Sequence, residues 1–511
     1  MRMNSFLAIV VVALLAGGCS DSGAASPVAS PNATGAVAST SAGGPAGTAR
    51  PPITLLGKPL APCPAVASRA LCGTLEVAEN RAAPGGRQIG LRVVVLPATG
   101  TTVRPDPVFF LDGGPGGAAT EDLLWVEEVY GALNDDRDFV LVDQRGTGGS
   151  NRLAAPEAPD VTGLTREAAI ARLKEWAARV MAGLPGDPRF YTTSVAMDDI
   201  DQVRAALGAD RINVIGASYG ATAAQYYLRQ HEDRVRSVVL DGGTLVDVPL
   251  LERIAPNSQR ALDLVFARCA ADAVCRAAVP DPAGDLRRAL AVLERKPVTT
   301  DVADPWTGKP IVIDPLGFTG GIHAGLLVDE RTAALPGLIH AAAAGDWRPV
   351  AEAIAASMGP ASARTDQLVM SAVIRCSEAW AAFDPAETAR LAHGSYLKAF
   401  EVNAATNQAT ACSIVPEGVV PSGDAQPARS NVPVLLVLGE ADPQNPPANV
   451  ADAPRDLPNS RTVVVPGEGH TVGHLGCMPD LIAKFVAAGS ASGLDASCAA
   501  TSVPLPPFVQ P

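Results

Sequence analysis

The segment Gly216-Ala217-Ser218-Tyr219-Gly220 places a serine among small residues at a predicted strand-to-helix turn. The apolar run 212–215 precedes it, and a helical pattern follows from about residue 221. Glycines two positions before and after the serine let the strand and the helix approach closely, and the sharp turn holds the serine hydroxyl clear of the sheet. Ser218 is therefore predicted to be a catalytic nucleophile.

A serine hydroxyl is a weak nucleophile at neutral pH and needs a neighbouring base. His470 ends a glycine-rich segment that follows the apolar run 462–465, and Asp442 follows the run 434–438. Because the carboxyl ends of parallel strands meet at one edge of a sheet, both side chains can reach Ser218. The predicted triad is Ser218, His470 as the base, and Asp442 as the group that orients the imidazole.

Two other residues compete for these roles. His474 lies four residues after His470 and is the alternative base, although a polar residue on the following turn has the same pattern. Asp241 follows the apolar run 235–240, but Asp241-Gly242-Gly243 is more typical of a turn. The two histidines lack the intervening acidic residue of an H-E-x-x-H metal motif. We therefore expect neither a metal nor an organic cofactor.

A second glycine-rich segment, Asp112-Gly113-Gly114-Pro115-Gly116-Gly117, follows the apolar run 108–111. Glycines allow backbone N–H groups to approach a ligand, which in acyl transfer is the oxyanion of the tetrahedral intermediate. The N–H groups of Gly114 and Tyr219 are the predicted oxyanion hole. A third segment, 143–150, follows the run 139–142 and is predicted to be structural.

The elements that position these segments are short apolar runs separated by helical patterns. The runs are rich in Val, Ile and Leu without alternation, which is typical of strands buried on both faces by helices. They are 91–96, 108–111, 139–142, 212–215, 235–240, 434–438 and 462–465. The sequence therefore predicts an α/β fold with a mostly parallel sheet.

The alternation stops between about residues 245 and 430, where the sequence is alanine-rich and mainly helical in pattern over 251–273, 285–295, 330–344, 347–358 and 386–400. We interpret 245–430 as a helical insertion, called the cap below. The sheet domain then consists of a first part, 53–244, and a C-terminal part, 431–511.

Composition sets the class of molecule. The chain has 511 residues, of which 47% are apolar and 18% charged, enough to bury a large core. It has 40 basic and 53 acidic residues, a net charge of −13, and no basic block. Nucleic acid is therefore not an expected partner.

The N-terminus is predicted to direct export. Arg2 and the uncharged run 6–16 form a signal peptide over residues 1–18, too short for a membrane span, which needs about 20 apolar residues. Small residues before Cys19 resemble a bacterial lipoprotein signal, which predicts lipidation of Cys19 and a membrane contact only through that anchor. The Ala-, Ser-, Gly- and Pro-rich segment 19–52 is predicted to be a flexible tether. Ordinary cleavage with secretion is the alternative.

Eight further cysteines lie after residue 53, an even number that in an exported chain indicates disulfides. Eight cysteines allow 105 connectivities, so spacing alone does not determine the pairs. Pairing of sequence neighbours gives 63–72, 269–275, 376–412 and 477–498. The 269–275 bridge requires a turn between its two cysteines, because six residues apart they lie on different faces of a continuous helix.

Together these segments resemble the α/β-hydrolase serine peptidases, in the branch of the proline iminopeptidases and secreted bacterial tripeptidyl aminopeptidases. The resemblance spans roughly residues 63–498, and is carried by 113–117, 143–146, 216–220, 439–443, 467–470 and 476–498. Proline iminopeptidases usually have His where this chain has Asp112, which argues against proline-specific cleavage. The resemblance implies an α/β-hydrolase fold and an exported enzyme that releases short peptides, such as tripeptides, from free N-termini through an acyl-enzyme.

Aminopeptidases of this branch hold the substrate amine with acidic residues of the cap. Glu378, beside Cys376, is the candidate in this sequence, and a surface glutamate near a disulfide has the same pattern. Because fold and triad do not separate amide from ester substrates, a carboxylesterase or related hydrolase is the alternative function.

Overall fold

The computed structural model describes residues 50–508 except 65–67, 157, 160, 162–163, 250, 359–360, 379–382, 502–504 and 506. The predicted signal peptide, Cys19 and most of the predicted tether lie outside the described residues. No helix among the described residues is long and apolar enough to cross a membrane.

The centre of the molecule is a nine-stranded sheet in the order β13-β12-β9-β8-β6-β7-β5-β4-β3. Its strands are β3 (Ala61–Pro62), β4 (Leu71–Ala78), β5 (Gln88–Leu96), β6 (Val108–Leu111), β7 (Phe139–Val142), β8 (Ile212–Ala217), β9 (Val235–Asp241), β12 (Val434–Gly439) and β13 (Ser460–Val465). Two small antiparallel pairs lie outside it: β1 (Thr54–Leu55) with β2 (Lys58–Pro59), and β10 (Val298–Ala303) with β11 (Pro310–Ile313).

Six neighbouring strands of the sheet pair in parallel, as predicted from their apolar runs. In sheet order they are β13, β12, β9, β8, β6 and β7. The run 91–96 was predicted to be parallel as well, and this is wrong: β5 pairs antiparallel with both β4 and β7. The connection from β4 to β5 spans only residues 79–87, too short for the crossover that parallel pairing requires.

The helices are α1 (Leu123–Val129), α2 (Arg166–Gly183), α3 (Thr193–Ala206), α4 (Tyr219–Gln230), α5 (Ile254–Ala271), α6 (Ala273–Ala278), α7 (Pro282–Arg295), α8 (Pro315–Leu326), α9 (Asp329–Ala343), α10 (Arg348–Ser357), α11 (Ala361–Ser377), α12 (Pro385–Leu391), α13 (Lys398–Cys412), α14 (Ala453–Asp456) and α15 (Met478–Ala488). Short 3₁₀ helices connect several of them, including one at Ala119–Asp122.

Helices cover both faces of the sheet, so the strands are apolar throughout. Leu436 and Leu438 of β12 belong to one buried cluster with α3 and α4, while Leu435 and Val437 belong to the cluster with α1 and α15. Each such side chain contributes about 1.5–3 kcal/mol by leaving water. This two-sided burial holds the carboxyl ends of β6, β8, β9, β12 and β13 at a common edge.

Between β9 and β12 the chain is mostly helical and has its own buried cluster, which includes Leu262, Phe318, Ile339 and Trp347. The β10–β11 hairpin was not predicted; β10 alternates between partly buried and exposed residues, and β11 buries Ile311 and Ile313. The single helix predicted over 386–400 is also wrong. It divides into α12 and α13 around Gly394, whose φ of +86° interrupts a helix.

The disulfides join Cys63–Cys72, Cys269–Cys275, Cys376–Cys412 and Cys477–Cys498, which confirms the neighbour pairing. The predicted turn between Cys269 and Cys275 is present at Asp272, whose extended backbone separates α5 from α6 and whose side chain caps α6.

Candidate active site

Ser218 lies between the end of β8 and the first residue of α4, with φ +55° and ψ −120°. This backbone conformation is strained for a non-glycine residue. Its neighbours allow it: a side chain at Gly216 would overlap the Gly220 carbonyl, and one at Gly220 would overlap the Leu111 carbonyl. The sharp strand-to-helix turn predicted from the sequence is therefore present.

The structure brings Ser218, His470 and Asp442 into one hydrogen-bonded line. His470 Nε2 lies 2.8 Å from Ser218 Oγ, and His470 Nδ1 lies 2.7 Å from Asp442 Oδ2. The contact to Asp442 favours the tautomer that carries its proton on Nδ1, which leaves Nε2 to accept the serine proton. This arrangement can generate a serine nucleophile.

The Asp442 carboxylate is fixed by the loop that follows β12. Its Oδ1 accepts hydrogen bonds of 2.8 Å from the backbone N–H groups of both Gln444 and Asn445. Asn445 in turn donates 2.6 Å to the Gly242 carbonyl, beyond β9. Asp442 has no exposed surface, so its charge acts on His470 without screening by bulk water.

Asp241 contacts both the segment after His470 and the backbone of Ser218, which was not predicted from the sequence. Its carboxylate accepts from the backbone N–H groups of Val472 at 2.8 Å and Gly473 at 3.0 Å, directly after His470. Its backbone carbonyl accepts 2.8 Å from the N–H of Ser218. Asp241 therefore holds both Ser218 and the loop that follows His470, while Asp442 makes the contact to the imidazole. The only sequence signal was an acidic residue at a strand end.

Burial and charge act in opposite directions on His470. Burial lowers its pKa, but the charge and hydrogen bond of Asp442, with the charge of Asp241, outweigh burial and raise the pKa above its ordinary value. The neutral imidazole required of a general base is therefore present only on the alkaline side of that raised pKa.

The alternative base, His474, packs its ring against Trp125, with ring centroids 5.9 Å apart. The imidazole that accepts a hydrogen bond from the Ser218 hydroxyl is that of His470. The geometry thus distinguishes two histidines that sequence spacing left open.

The glycine-rich loop after β6 lies directly against the serine. A Cβ built on Gly113 would be 3.1 Å from Ser218 Cβ and 3.6 Å from Ser218 Oγ. The N–H of Gly113 is already bonded to Asp112 Oδ1 at 2.5 Å. Gly114, the next residue, has φ +113°, and Tyr219 is the first residue of α4, directly after Ser218.

The segment after β7 is anchored to the 3₁₀ helix that follows this loop and to α3. Asp143 is fully buried and accepts from Thr120 N at 2.9 Å, Thr120 Oγ1 at 3.0 Å and Gly149 N at 2.8 Å. Arg145, also fully buried, forms a two-point ion pair with Asp199 of α3 at 2.6 and 2.7 Å.

Glu378 is buried at the end of α11, and both of its oxygens contact one residue. Oε1 accepts 2.5 Å from Thr193 N, and Oε2 accepts 2.7 Å from Thr193 Oγ1. Thr193 Oγ1 is also 2.5 Å from the Tyr219 hydroxyl. Burial raises the pKa of Glu378 to about 8. Glu378 thus joins the cap to the start of α3 and, through Thr193, to the hydroxyl of Tyr219.

Helix α5 of the cap contacts the loop after β12, which carries Asp442. Asn257 Nδ2 of α5 donates 3.3 Å to the Gln444 carbonyl, and Arg260 donates 2.7 Å to the Glu440 carbonyl. Between them, Ser258 Oγ is 3.0 Å from Nδ1 of the buried His323. Burial lowers the pKa of His323 to about 4, so this imidazole is neutral at working pH. The position of His323 beside this loop was not predicted from the sequence.

Two family models match the chain in the regions that carry this geometry. Residues 106–294 match the alpha/beta hydrolase fold, and residues 398–498 match the family described as TAP-like protein. The first covers the strands that hold Gly114 and Ser218, and the second covers those that hold Asp442 and His470.

Three relatives have named activities. The chain is 26% identical to a tripeptidyl aminopeptidase of Streptomyces coelicolor over 474 residues, covering 85% of this chain and 84% of that protein. It is 30% identical to the serine protease Hip1 of Mycobacterium tuberculosis over 228 residues, covering 40% of this chain and 42% of that protein. It is 31% identical to a proline iminopeptidase of Neisseria gonorrhoeae over 137 residues, covering 27% and 32%.

A crystal structure of the proline iminopeptidase of Mycobacterium smegmatis matches over 82% of this chain and 98% of that chain, at 16% identity and a TM-score of 0.36.

The sheet order and the family match define the class: the protein is an enzyme with the α/β-hydrolase fold. Within that class, the resemblance to the proline iminopeptidases and tripeptidyl aminopeptidases is confirmed by the TAP-like match and the named relatives.

Proposed function

We propose that the protein is an exported serine aminopeptidase that releases short peptides, such as tripeptides, from free N-termini. The observation that carries the proposal is the line from Ser218 Oγ through His470 to Asp442, with contacts of 2.8 and 2.7 Å. The extent of the match to the Streptomyces tripeptidyl aminopeptidase supports the peptide substrate class, because it covers 84% of that protein.

In the proposed reaction Ser218 Oγ attacks the scissile carbonyl carbon, and His470 Nε2 accepts the hydroxyl proton. The C–N bond then breaks, and His470 returns the proton to the leaving amine. A water molecule, activated by the same imidazole, hydrolyses the acyl-enzyme. Asp442 keeps the imidazole oriented and stabilises its charged form.

The N–H groups of Gly114 and Tyr219 are the proposed oxyanion donors. Gly113 is unsuited, because its N–H is bonded to Asp112, whereas Gly114 is the next residue of the loop that lies against Ser218. Loss of one such donor costs about 3–4 kcal/mol in the barrier.

The test uses the purified protein with three fluorogenic substrates: an Ala-Ala-Ala amide with a free amine, the same peptide N-acylated, and a short-chain ester. Ser218→Ala and His470→Gln should abolish cleavage, while the matched control His474→Gln should retain it. Cleavage confined to the free-amine peptide supports the aminopeptidase. Ser218-dependent cleavage of the ester alone would contradict the peptidase and favour the carboxylesterase.

We propose that Cys19 is lipidated and anchors the exported enzyme, on the strength of the small residues that precede it. Cys19→Ser should move the protein from the membrane fraction to the soluble fraction and abolish incorporation of a labelled fatty acid. A Cys19→Ser protein that stays in the membrane fraction would contradict the anchor.

A further inference from the structure

Helix α4 begins directly after a strained residue. Ser218 has φ +55° and ψ −120°, a conformation that persists only where its surroundings hold it. On one side, Ser218 N donates 2.8 Å to the Asp241 carbonyl, and the Ser218 carbonyl accepts 2.9 Å from Ala221 N. The peptide between Ser218 and Tyr219 carries the N–H proposed as an oxyanion donor. Its orientation therefore also depends on how the Tyr219 side chain is held.

The Tyr219 side chain is held at its hydroxyl end, inside the protein. This hydroxyl lies 2.5 Å from Thr193 Oγ1 and 3.5 Å from Gln144 Oε1. Thr193, at the start of α3, has no exposed surface, and its Oγ1 lies 2.7 Å from Glu378 Oε2 at the end of α11. A buried chain of hydrogen bonds thus runs from a carboxyl of the cap, through Thr193, to the residue that follows Ser218.

We propose that Thr193 is a positioning residue for the oxyanion hole. Its hydroxyl, bonded to Glu378 on one side and to the Tyr219 hydroxyl on the other, keeps the peptide between Ser218 and Tyr219 in its strained orientation. The inference rests on the proposed serine-hydrolase function. Thr193 touches none of the reacting atoms and acts through Tyr219.

A hydroxyl suits this position because it donates one hydrogen bond and accepts others. When Glu378 is ionised, Thr193 donates to it and accepts from the Tyr219 hydroxyl. When Glu378 carries a proton, both hydrogen bonds reverse, and the Tyr219 hydroxyl donates to Gln144 instead. Valine has nearly the shape of threonine and makes neither contact, so Thr193→Val leaves the Tyr219 hydroxyl only its 3.5 Å contact with Gln144.

The experiment compares Thr193→Val, Thr193→Ser, Tyr219→Phe and the double variant Thr193→Val/Tyr219→Phe. Tyr219→Phe keeps the backbone N–H and breaks the same contact from its other end, so the test does not depend on the folding of Thr193→Val. The matched control is Tyr226→Phe, because Tyr226 is a second buried tyrosine of α4, and its hydroxyl donates 2.7 Å to Asp424. The readouts are kcat, KM, melting temperature and the rate at which an alkyl fluorophosphonate labels Ser218.

Thr193→Val and Tyr219→Phe should each lower kcat and the labelling rate about 10-fold and leave KM within about 2-fold, because the displaced N–H acts on the tetrahedral adduct rather than on bound substrate. Thr193→Ser should stay within about 2-fold of wild type, since it keeps the hydroxyl. The double variant should lose no more than about 10-fold, because both changes break one contact. Tyr226→Phe should keep both wild-type rates.

A hydroxyl that only stabilises the fold gives a different result. Thr193→Val and Tyr226→Phe would then both lower the melting temperature and leave both rates unchanged where all variants are folded, which would overturn the positioning role. Additive losses in the double variant would overturn it as well. A wild type that is labelled at Ser218 but cleaves no peptide contradicts only the aminopeptidase, and its labelling rates still test Thr193. A wild type that is not labelled would overturn both.

Discussion

The Asp241 carboxylate accepts a 2.8 Å hydrogen bond from the backbone of Val472, two residues after His470. The backbone carbonyl of the same aspartate accepts 2.8 Å from Ser218 N. One residue at the end of β9 therefore connects Ser218, which follows β8, with the loop after β13 that carries His470. Because these two segments are 252 residues apart in the sequence, a local change in either would otherwise separate them.

Asp241→Ala should lower both kcat and the free energy of unfolding. It leaves the N–H groups of Val472 and Gly473 without their acceptor, which costs about 1–3 kcal/mol of folding free energy. The freed loop should displace His470 and lower kcat about 10- to 100-fold, since small misplacements have effects of this size. The measurement is kcat with denaturant unfolding, and Asp247→Asn, at an exposed ion pair with Arg455, is the control. Full activity in Asp241→Ala would contradict the positioning role.

The acid limb of kcat/KM should lie above pH 6.5, the ordinary value for histidine. Asp442 raises the pKa of His470 through charge and a hydrogen bond, against the lowering effect of burial. Since catalysis requires the neutral imidazole, activity should fall as pH decreases through that raised pKa. Asp442→Asn should shift the limb to lower pH and reduce kcat by about 10⁴ at neutral pH, as loss of the orienting carboxylate does in other triads. An unshifted limb would remove Asp442 from this role.

Two hypotheses for Glu378, structural support and binding of the substrate amine, are separated by one pair of variants. If it supports structure through Thr193, Glu378→Ala should destabilise the protein by about 1–3 kcal/mol, and Glu378→Gln, which keeps an acceptor for Thr193, should cost much less. If it binds the substrate amine, Glu378→Gln should raise KM for the free-amine peptide and leave the N-acylated peptide and the ester unchanged. We expect the structural result, because Thr193 already contacts both oxygens.

If Glu378 is structural, a second carboxyl of the cap is the next candidate to hold the substrate amine. Glu401 of α13 is a second buried cap carboxyl, and burial alone raises its pKa to about 8. Glu401→Gln should be assayed in parallel with Glu378→Gln on the same substrates. A KM effect confined to the free amine in only one of the two variants identifies the carboxyl that holds the substrate.

The sheet could be predicted because its signal is local. A run such as 434–438 is apolar at every position, and β12 forms there with both faces buried. The cysteine pairs could be predicted for the same reason, because each joins neighbours in sequence. The hairpin β10–β11 was missed since its weak alternation lies within an alanine-rich helical context.

The same distinction between local and long-range signals applies to the residues of the site. Ser218, Asp442 and His470 each lie shortly after a recognisable strand, so their types and order were sufficient to predict them as candidates. The contact of Glu378 with Thr193 joins residues 185 positions apart, and no local pattern encodes it. Asp241 has the sequence pattern of an ordinary turn, and its part in the site appears only when the loop after β13 packs against β9.

The Cys376–Cys412 disulfide should contribute more to stability than Cys269–Cys275. The first closes 36 residues and the second only 6, so chain entropy predicts losses of about 4 and about 2 kcal/mol for the paired serine variants. The longer bridge also joins the ends of α11 and α13.

The same bridge should affect substrate binding. Helix α11 packs its Gln367 backbone against Gly116, and Glu378 follows at its end, so a loosened helix alters the wall above the glycine-rich loop. We expect Cys376→Ser/Cys412→Ser to raise KM, while Cys269→Ser/Cys275→Ser leaves it unchanged. Denaturant unfolding and KM on one substrate check both statements. Equal destabilisation by the two pairs, with KM unchanged in both, would show that the cap holds its position over the site without the longer bridge.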